Sequence, residues 1–163
     1  MESKAKVFGH PIHQTLVGIP LGLLGGAAIF DVVALFTRDP TMGAVAYWMV
    51  AGGIIGGLAA APFGLMDPMA IPPRTRVARF GFKHGIGNMV VLALVIASWV
   101  LRPGPPEPAG VLALVLSYWG VALVHFTGWL GGEPVSRLDV GVSEGAHLDA
   151  TWLEETREMK PRS

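Results

Sequence analysis

The chain has 163 residues, of which 52% are hydrophobic and only 15% charged, and its formal net charge is zero. A soluble domain carries about 25% charged residues, so this composition indicates an integral membrane protein. The neutral balance gives no basic character for binding nucleic acid. Because the sequence contains no cysteine, disulfides, thiolate metal sites and cysteine nucleophiles are excluded.

Four apolar segments are each long enough to cross a bilayer, which takes about 20 mostly apolar residues. They lie at 16–36, 42–65, 80–101 and 110–130. Lys4 and Lys6 precede the first segment as in a signal peptide, but its apolar run is too long for one, so we expect an uncleaved helix. Since short loops make successive helices antiparallel neighbours, the sequence predicts an all-α, up-down four-helix membrane bundle over residues 1–132. A short polar tail follows at 133–163.

Basic residues near the helix ends are unevenly distributed. The side that holds both termini carries six of them: Lys4, Lys6, Arg74, Arg76, Arg79 and Lys83. The opposite loops carry only Arg38 and Arg102. By the positive-inside rule, we expect both termini and the polar tail in the cytoplasm.

Small residues recur at every fourth position in the first two segments. They are Gly18, Gly22 and Gly26, then Gly52, Gly56, Ala60 and Gly64. Lipid provides no hydrophobic drive between helices, so close backbone approach over small residues joins them. We favour helix packing as the role of these residues. Two alternatives stay open: the close approach makes room for a flat cofactor, or the glycine faces form a homodimer.

Three histidines, His13, His84 and His125, lie in or at a predicted span, and each falls near the cytoplasmic end. His10 precedes Pro11, which favours an extended backbone just above that level. At about 100° per residue, His84 and Asn88 share the only polar stripe of the third helix. We expect this stripe, and the His125 stripe of the fourth helix, to face each other inside the bundle. Intramembrane ionisable groups are functional candidates by default.

Two further polar features belong to the bundle ends. Asp31, near the outer end of the first helix, needs a partner, and Arg102 or the Tyr118 hydroxyl can provide one; a structural ion pair is favoured over a proton-handling role. At the cytoplasmic end, Arg74, Arg76 and Arg79 form a cationic rim. They suit anionic lipid or act as a clamp for carboxylates or phosphates.

The segments "HPIHQTLVGIPLGLLG", "IPPRTRVARFGFKHGIGN" and "GWLGGEPVSRLDVGV", in this order, resemble a bacterial membrane family catalogued as domain of unknown function 2231. The resemblance implies a four-helix domain in the bacterial cytoplasmic membrane. Some relatives are joined to a Rieske-type iron–sulfur domain, which implies a redox setting. Without cysteine, this chain would meet such a domain as a separate protein. The sequence departs from the family at Gln14 and Pro68.

These observations favour a b-type haem held by two imidazoles, with His84 and His125 as the first axial pair and His13 as the alternative. Asn88 would orient a ring, and Arg74, Arg76 and Arg79 would neutralise the propionates. The protein would then carry electrons within a respiratory or redox assembly, beside a Rieske-type or quinone-linked partner, rather than act as a stand-alone enzyme.

Two alternatives remain. The first is a transition-metal site built from the four imidazoles of His10, His13, His84 and His125. The second is a structural or assembly subunit without a cofactor, in which backbone carbonyls satisfy the histidines.

Overall fold

The computed structural model describes residues 6–8, 10–66, 71–72 and 74–138. The part of the expected tail beyond Leu138 lies outside these residues. Within them the elements are β1 (Lys6–Val7), β2 (His10–Pro11), α1 (Ile12–Leu16), α2 (Gly18–Thr37), α3 (Pro40–Met66), α4 (Arg76–Val100) and α5 (Val111–Leu138).

The four predicted membrane spans are confirmed as helices at Ile12–Thr37, Pro40–Met66, Arg76–Val100 and Val111–Arg137. The first span is interrupted at Val17, between α1 and α2. Pro20 lies one turn later and has no N–H to donate to the Leu16 carbonyl, so the break occurs where the helical hydrogen-bond ladder lacks a donor. The last helix continues past Leu130 through Pro134 and ends at Leu138.

Two helix ends have clear local signals. Arg38 follows α2 in the left-handed conformation, with a φ of 57°, and its N–H donates to the Ala34 carbonyl, which ends the helix by the αL pattern. Thr75 precedes α4, and its hydroxyl accepts the N–H of Ala78 at 3.1 Å. This N-cap starts the helix that carries His84.

The bundle consists of two helical hairpins. Helix α2 packs mainly along α3, and α4 packs mainly along α5, while contacts between the hairpins are far fewer. Those contacts join α2 to α5 and α3 to α4. We call the two halves the first hairpin (α1–α3) and the second hairpin (α4–α5), and the surface between them the seam.

Buried positions repeat between the two hairpins at a fixed interval. Between α2 and the segment formed by α4 and the residues just after it, they lie 71 positions apart: Pro20 and Val91, Leu24 and Val95, Ala27 and Ser98, Asp31 and Arg102. In α3 and α5 they lie 67 positions apart: Ala46 and Ala113, Val50 and Ser117, Gly53 and Gly120, Ala60 and Thr127. The two hairpins therefore bury equivalent positions. Because α2 contacts α5 and α3 contacts α4, the hairpins are related by an approximate two-fold axis.

The two helices of each hairpin approach each other closely at equivalent positions. A Cβ atom built on Gly53 would lie 2.7 Å from Leu24, and one built on Gly120 would lie 2.8 Å from Val95. Leu24 and Val95 are themselves equivalent, and both belong to the buried core. The glycines are thus required at the point where the two helices of each hairpin meet.

The predicted ion pair of Asp31 lies on the seam at one end of the bundle. Arg102 donates two hydrogen bonds to its carboxylate, at 2.9 and 2.6 Å, and both side chains are only 2% exposed. Tyr118, the other partner considered, donates instead to the Ala28 carbonyl at 3.4 Å. The bidentate geometry pairs the two buried charges, although Arg102 Nε has no hydrogen-bond partner among the described residues. The pair joins the hairpins far from the histidines.

Candidate functional site

At the opposite end of the seam, the structure brings two histidines together. His13 is the second residue of α1 and His84 is the ninth residue of α4. Their ring centroids lie 6.3 Å apart with the ring planes perpendicular, and both residues are half-buried. His13 and His84 are also 71 positions apart in the sequence, so they are equivalent residues of the two hairpins.

The His13 ring is held by helix α3. Its Nδ1 lies 3.1 Å from the Ala60 carbonyl oxygen, and the ring lies over Gly64, where a Cβ would come within 2.7 Å of its Cε1. A carbonyl only accepts hydrogen bonds, so Nδ1 carries the proton. The lone pair of the neutral ring is then on Nε2.

Helix α5 holds the His84 ring in the same way. His84 Nδ1 donates to the Thr127 carbonyl at 2.7 Å, and a Cβ on Gly131 would come within 2.7 Å of His84 Cε1. Thr127 and Gly131 are the equivalents of Ala60 and Gly64. One additional contact has no counterpart among the described residues of the first hairpin: Asn88 donates from its amide to His84 Nε2 at 3.0 Å.

A short side-chain network fixes Asn88. Its amide nitrogen also lies 3.0 Å from the His84 carbonyl, and its amide oxygen accepts the Thr127 hydroxyl at 3.1 Å. Asn88 thus takes the ring-orienting position that its spacing from His84 suggested. Both ring nitrogens of His84 are engaged, and the ring is fixed in one tautomer.

The other two candidate histidines lie elsewhere. His125 is exposed on α5, and its Nδ1 donates to Val121 of the same helix at 2.7 Å. The expected facing of His84 and His125 is not found, because small buried residues, Ser117, Gly120 and Thr127, form the interior face of α5 instead. His10 is exposed on β2. Among the described residues, no group of three or more histidine, aspartate or glutamate side chains has the geometry of a metal site.

Sequence comparison places the chain in a family. A family model described as a predicted membrane protein of domain of unknown function 2231 matches residues 9–144. The chain belongs to this family. No curated protein and no solved structure matches it. Residues 9–144 contain the four candidate membrane helices and both histidines of the pair.

The predicted cationic rim lies at the same end of the bundle as His13 and His84. Arg74, Arg76 and Arg79 are exposed. Arg76 and Arg79, with Phe80 and Lys83, line a cavity of about 200 Å³. A second, apolar cavity of about 380 Å³ lies between α4 and α5, and Lys83 lines both. The cations are therefore placed at the mouth of an apolar groove.

Several site residues were missed by sequence reasoning. The sequence pattern assigns Gly64, on which the His13 ring lies, to helix packing, and it gives no signal at Gly131 or Thr127. The signal that would have found them is the repeat itself: each glycine follows by four residues the carbonyl that binds a histidine. Recognising His13 and His84 as equivalent points directly to their equivalent supports.

Proposed function

We propose that this protein binds a b-type haem through His13 and His84 and carries electrons within a membrane redox assembly. The observation that supports it is the meeting of two equivalent imidazoles on the seam, each with Nδ1 donating to a backbone carbonyl. A hydrogen bond from Nδ1 to a carbonyl is typical of metal-ligating histidine and leaves Nε2 for the metal. The two ring centroids lie 6.3 Å apart, so a group bound between the hairpins at this level would be held by both histidines.

The donor set fits haem better than an isolated metal ion. A structural or catalytic zinc takes three or four protein ligands, whereas haem iron is already held by its ring and needs one or two axial side chains. The described residues offer two imidazoles here and no larger ligand group. The proposal therefore ranks a transition-metal site built from all four histidines second.

The surroundings also fit a flat group between the hairpins. The seam has few helix–helix contacts, and Gly64 and Gly131 leave the rings room against the helices behind them. Binding at His84 Nε2 requires Asn88 to give up its hydrogen bond to that nitrogen, while its bond to the His84 carbonyl can remain. Bound haem would supply one-electron transfer at its iron, and without cysteine it would be non-covalent.

The test is an absorption spectrum of the detergent-purified protein, expressed with a haem supply and measured oxidised and dithionite-reduced. We expect a Soret band and resolved α and β bands on reduction, as for six-coordinate haem. His13→Ala and His84→Ala should each lose the six-coordinate spectrum, and His125→Ala, an exposed matched control, should keep it.

A folded wild-type protein that stays colourless after reconstitution with haem would refute the proposal. Elemental analysis would then separate the two alternatives, since stoichiometric metal indicates an ion site and its absence a structural or assembly subunit.

The proposed setting follows from the same features. We place the histidine end and both termini at the cytoplasmic face of a bacterial membrane, because the cations Arg74, Arg76, Arg79 and Lys83 lie at that end. A Rieske-type or quinone-linked protein is the proposed electron partner. A reporter enzyme that is active only outside the cytoplasm, fused after Ser163, should be inactive. An active fusion would reverse the proposed orientation.

A further inference from the structure

We propose that the second hairpin binds an acidic phospholipid, with an acyl chain in the groove between α4 and α5 and the phosphate on Arg76, Arg79 and Lys83. The site shares Thr127 with the support of the His84 ring, but it contains neither histidine and does not depend on what the pair binds.

The groove has the chemistry of an acyl-chain site. Most of its lining side chains are aliphatic or aromatic: Phe82, Ile86, Leu123, Phe126 and the buried Leu130, with the buried Thr127 beside them. Phe82 and Phe126 are 70% and 54% exposed, so the groove opens towards the lipid and not into the bundle. A hydrocarbon chain fills such a groove without leaving a polar group unsatisfied.

The mouth of the groove has the chemistry of a phosphate site. Arg76, Arg79 and Lys83 surround the cavity of about 200 Å³, and Lys83 connects it to the groove because it lines both cavities. Among the described residues, no carboxylate forms an ion pair with any of these three cations. Guanidinium and ammonium groups donate charge-assisted hydrogen bonds to phosphate. An apolar groove that ends in cations with no ion-pair partner among the described residues is complementary to an anionic amphiphile.

The first hairpin provides an internal control. The residues 71 positions before Arg76, Arg79 and Lys83 are Ala5, Phe8 and Ile12. The residues 67 positions before Leu123 and Phe126 are Gly56 and Ala59. The first hairpin therefore lacks these three cations, and small residues stand in place of Leu123 and Phe126. A ligand that binds only the second hairpin accounts for this difference between the two copies.

The test is native mass spectrometry of the full chain released from detergent that contains equal amounts of phosphatidylglycerol and phosphatidylcholine with identical acyl chains. We expect the wild type to retain phosphatidylglycerol preferentially. A juxtamembrane cation contributes about fivefold in affinity for acidic lipid. The triple variant Arg76→Gln, Arg79→Gln, Lys83→Gln should therefore lose most of the preference.

Controls separate the sources of the effect. Arg38→Gln, an exposed cation at the opposite end, should leave the preference unchanged, and Ile86→Trp, which fills the groove, should reduce retention of both lipids. Inorganic phosphate at millimolar concentration should not displace the lipid. Displacement by phosphate alone would show a free-anion site and overturn the proposal.

Two other outcomes also overturn it. One is equal retention of both lipids by the wild type, and the other is an unchanged preference in a triple variant that keeps its helical circular dichroism. If the triple variant lost haem and kept its lipid preference, the cations would serve the propionates instead. A wild type that retains phosphatidylglycerol but never binds haem would leave this inference standing and refute only the proposed function.

Discussion

The two hairpins share one scaffold and differ in how much polar structure surrounds their histidine. In the first, His13 contacts a carbonyl through Nδ1. In the second, His84 has the same contact, and its other nitrogen is also bound by Asn88. Val17 stands at the position equivalent to Asn88. The comparison teaches that a carbonyl and a glycine suffice to position the ring, and that the amide network is an addition to one copy.

The difference makes two equivalent residues chemically unequal. His84 is locked in one tautomer by donors and acceptors on both sides, whereas His13 has only its Nδ1 proton committed to a described partner. Under the proposed function, the unprotonated Nε2 of His13 would bind without rearrangement. His84 would bind only after Asn88 gave up its hydrogen bond to Nε2.

The largest expected effect comes from the ion pair that joins the hairpins. Asp31→Arg or Arg102→Asp leaves two buried like charges, and breaking a buried pair costs about 3–5 kcal/mol. Because the two positions are equivalent, the double exchange Asp31→Arg with Arg102→Asp should recover most of the loss. Thermal unfolding in detergent measures it. A double variant as unstable as either single variant would show that the hairpins are less alike than their buried positions indicate.

The next effect concerns the glycines beneath the rings. Gly64→Ala and Gly131→Ala each place a Cβ 2.7 Å from a histidine Cε1, and such overpacking costs about 1–3 kcal/mol. We expect similar losses in the two hairpins, measured as the change in unfolding temperature. The matched control is Gly132→Ala, since a Cβ there meets nothing within 4 Å, and alanine stabilises a helix by about 0.5–1 kcal/mol relative to glycine. Equal effects at Gly131 and Gly132 would contradict this role.

The smallest effect is expected at the network that distinguishes the hairpins. Asn88→Ala removes the hydrogen bonds to His84 Nε2 and from Thr127, while Thr127 retains its bond to the Val124 carbonyl. A net loss of about 1 kcal/mol follows. Under the proposed function the variant should still bind haem, because Asn88 leaves Nε2 when iron binds. Loss of haem from a folded Asn88→Ala protein would contradict that order of events.

Much of the fold could be predicted because hydropathy and length dictate it. The four spans, the Asp31–Arg102 pair and the inward stripe of His84 all follow from the cost of exposing polar groups to lipid. The interior face of α5 could not be predicted in the same way. His125 lies on a stripe that looks polar, but the helix turns Gly120 and Thr127 inward, because close packing in lipid selects small residues.

The repeat escaped sequence reasoning for a related reason. Equivalent positions keep burial but rarely identity, as with Leu24 and Val95 or Asp31 and Arg102. Residue type is kept at the histidine pair, His13 and His84, and where helices approach closely, as at Gly53 and Gly120. The equivalence of the two hairpins is therefore recognised from their buried positions in the structure and not from sequence identity.

The opposite charges of Asp31 and Arg102 carry one more consequence. If two identical single hairpins associated, the same residue would occupy both sides of the axis, and carboxylate would face carboxylate or guanidinium would face guanidinium. Only a chain that carries both hairpins can place unlike charges there. The pair thus favours association of a first hairpin with a second one. It disfavours association of two identical hairpins in the bilayer, because like charges would then face each other.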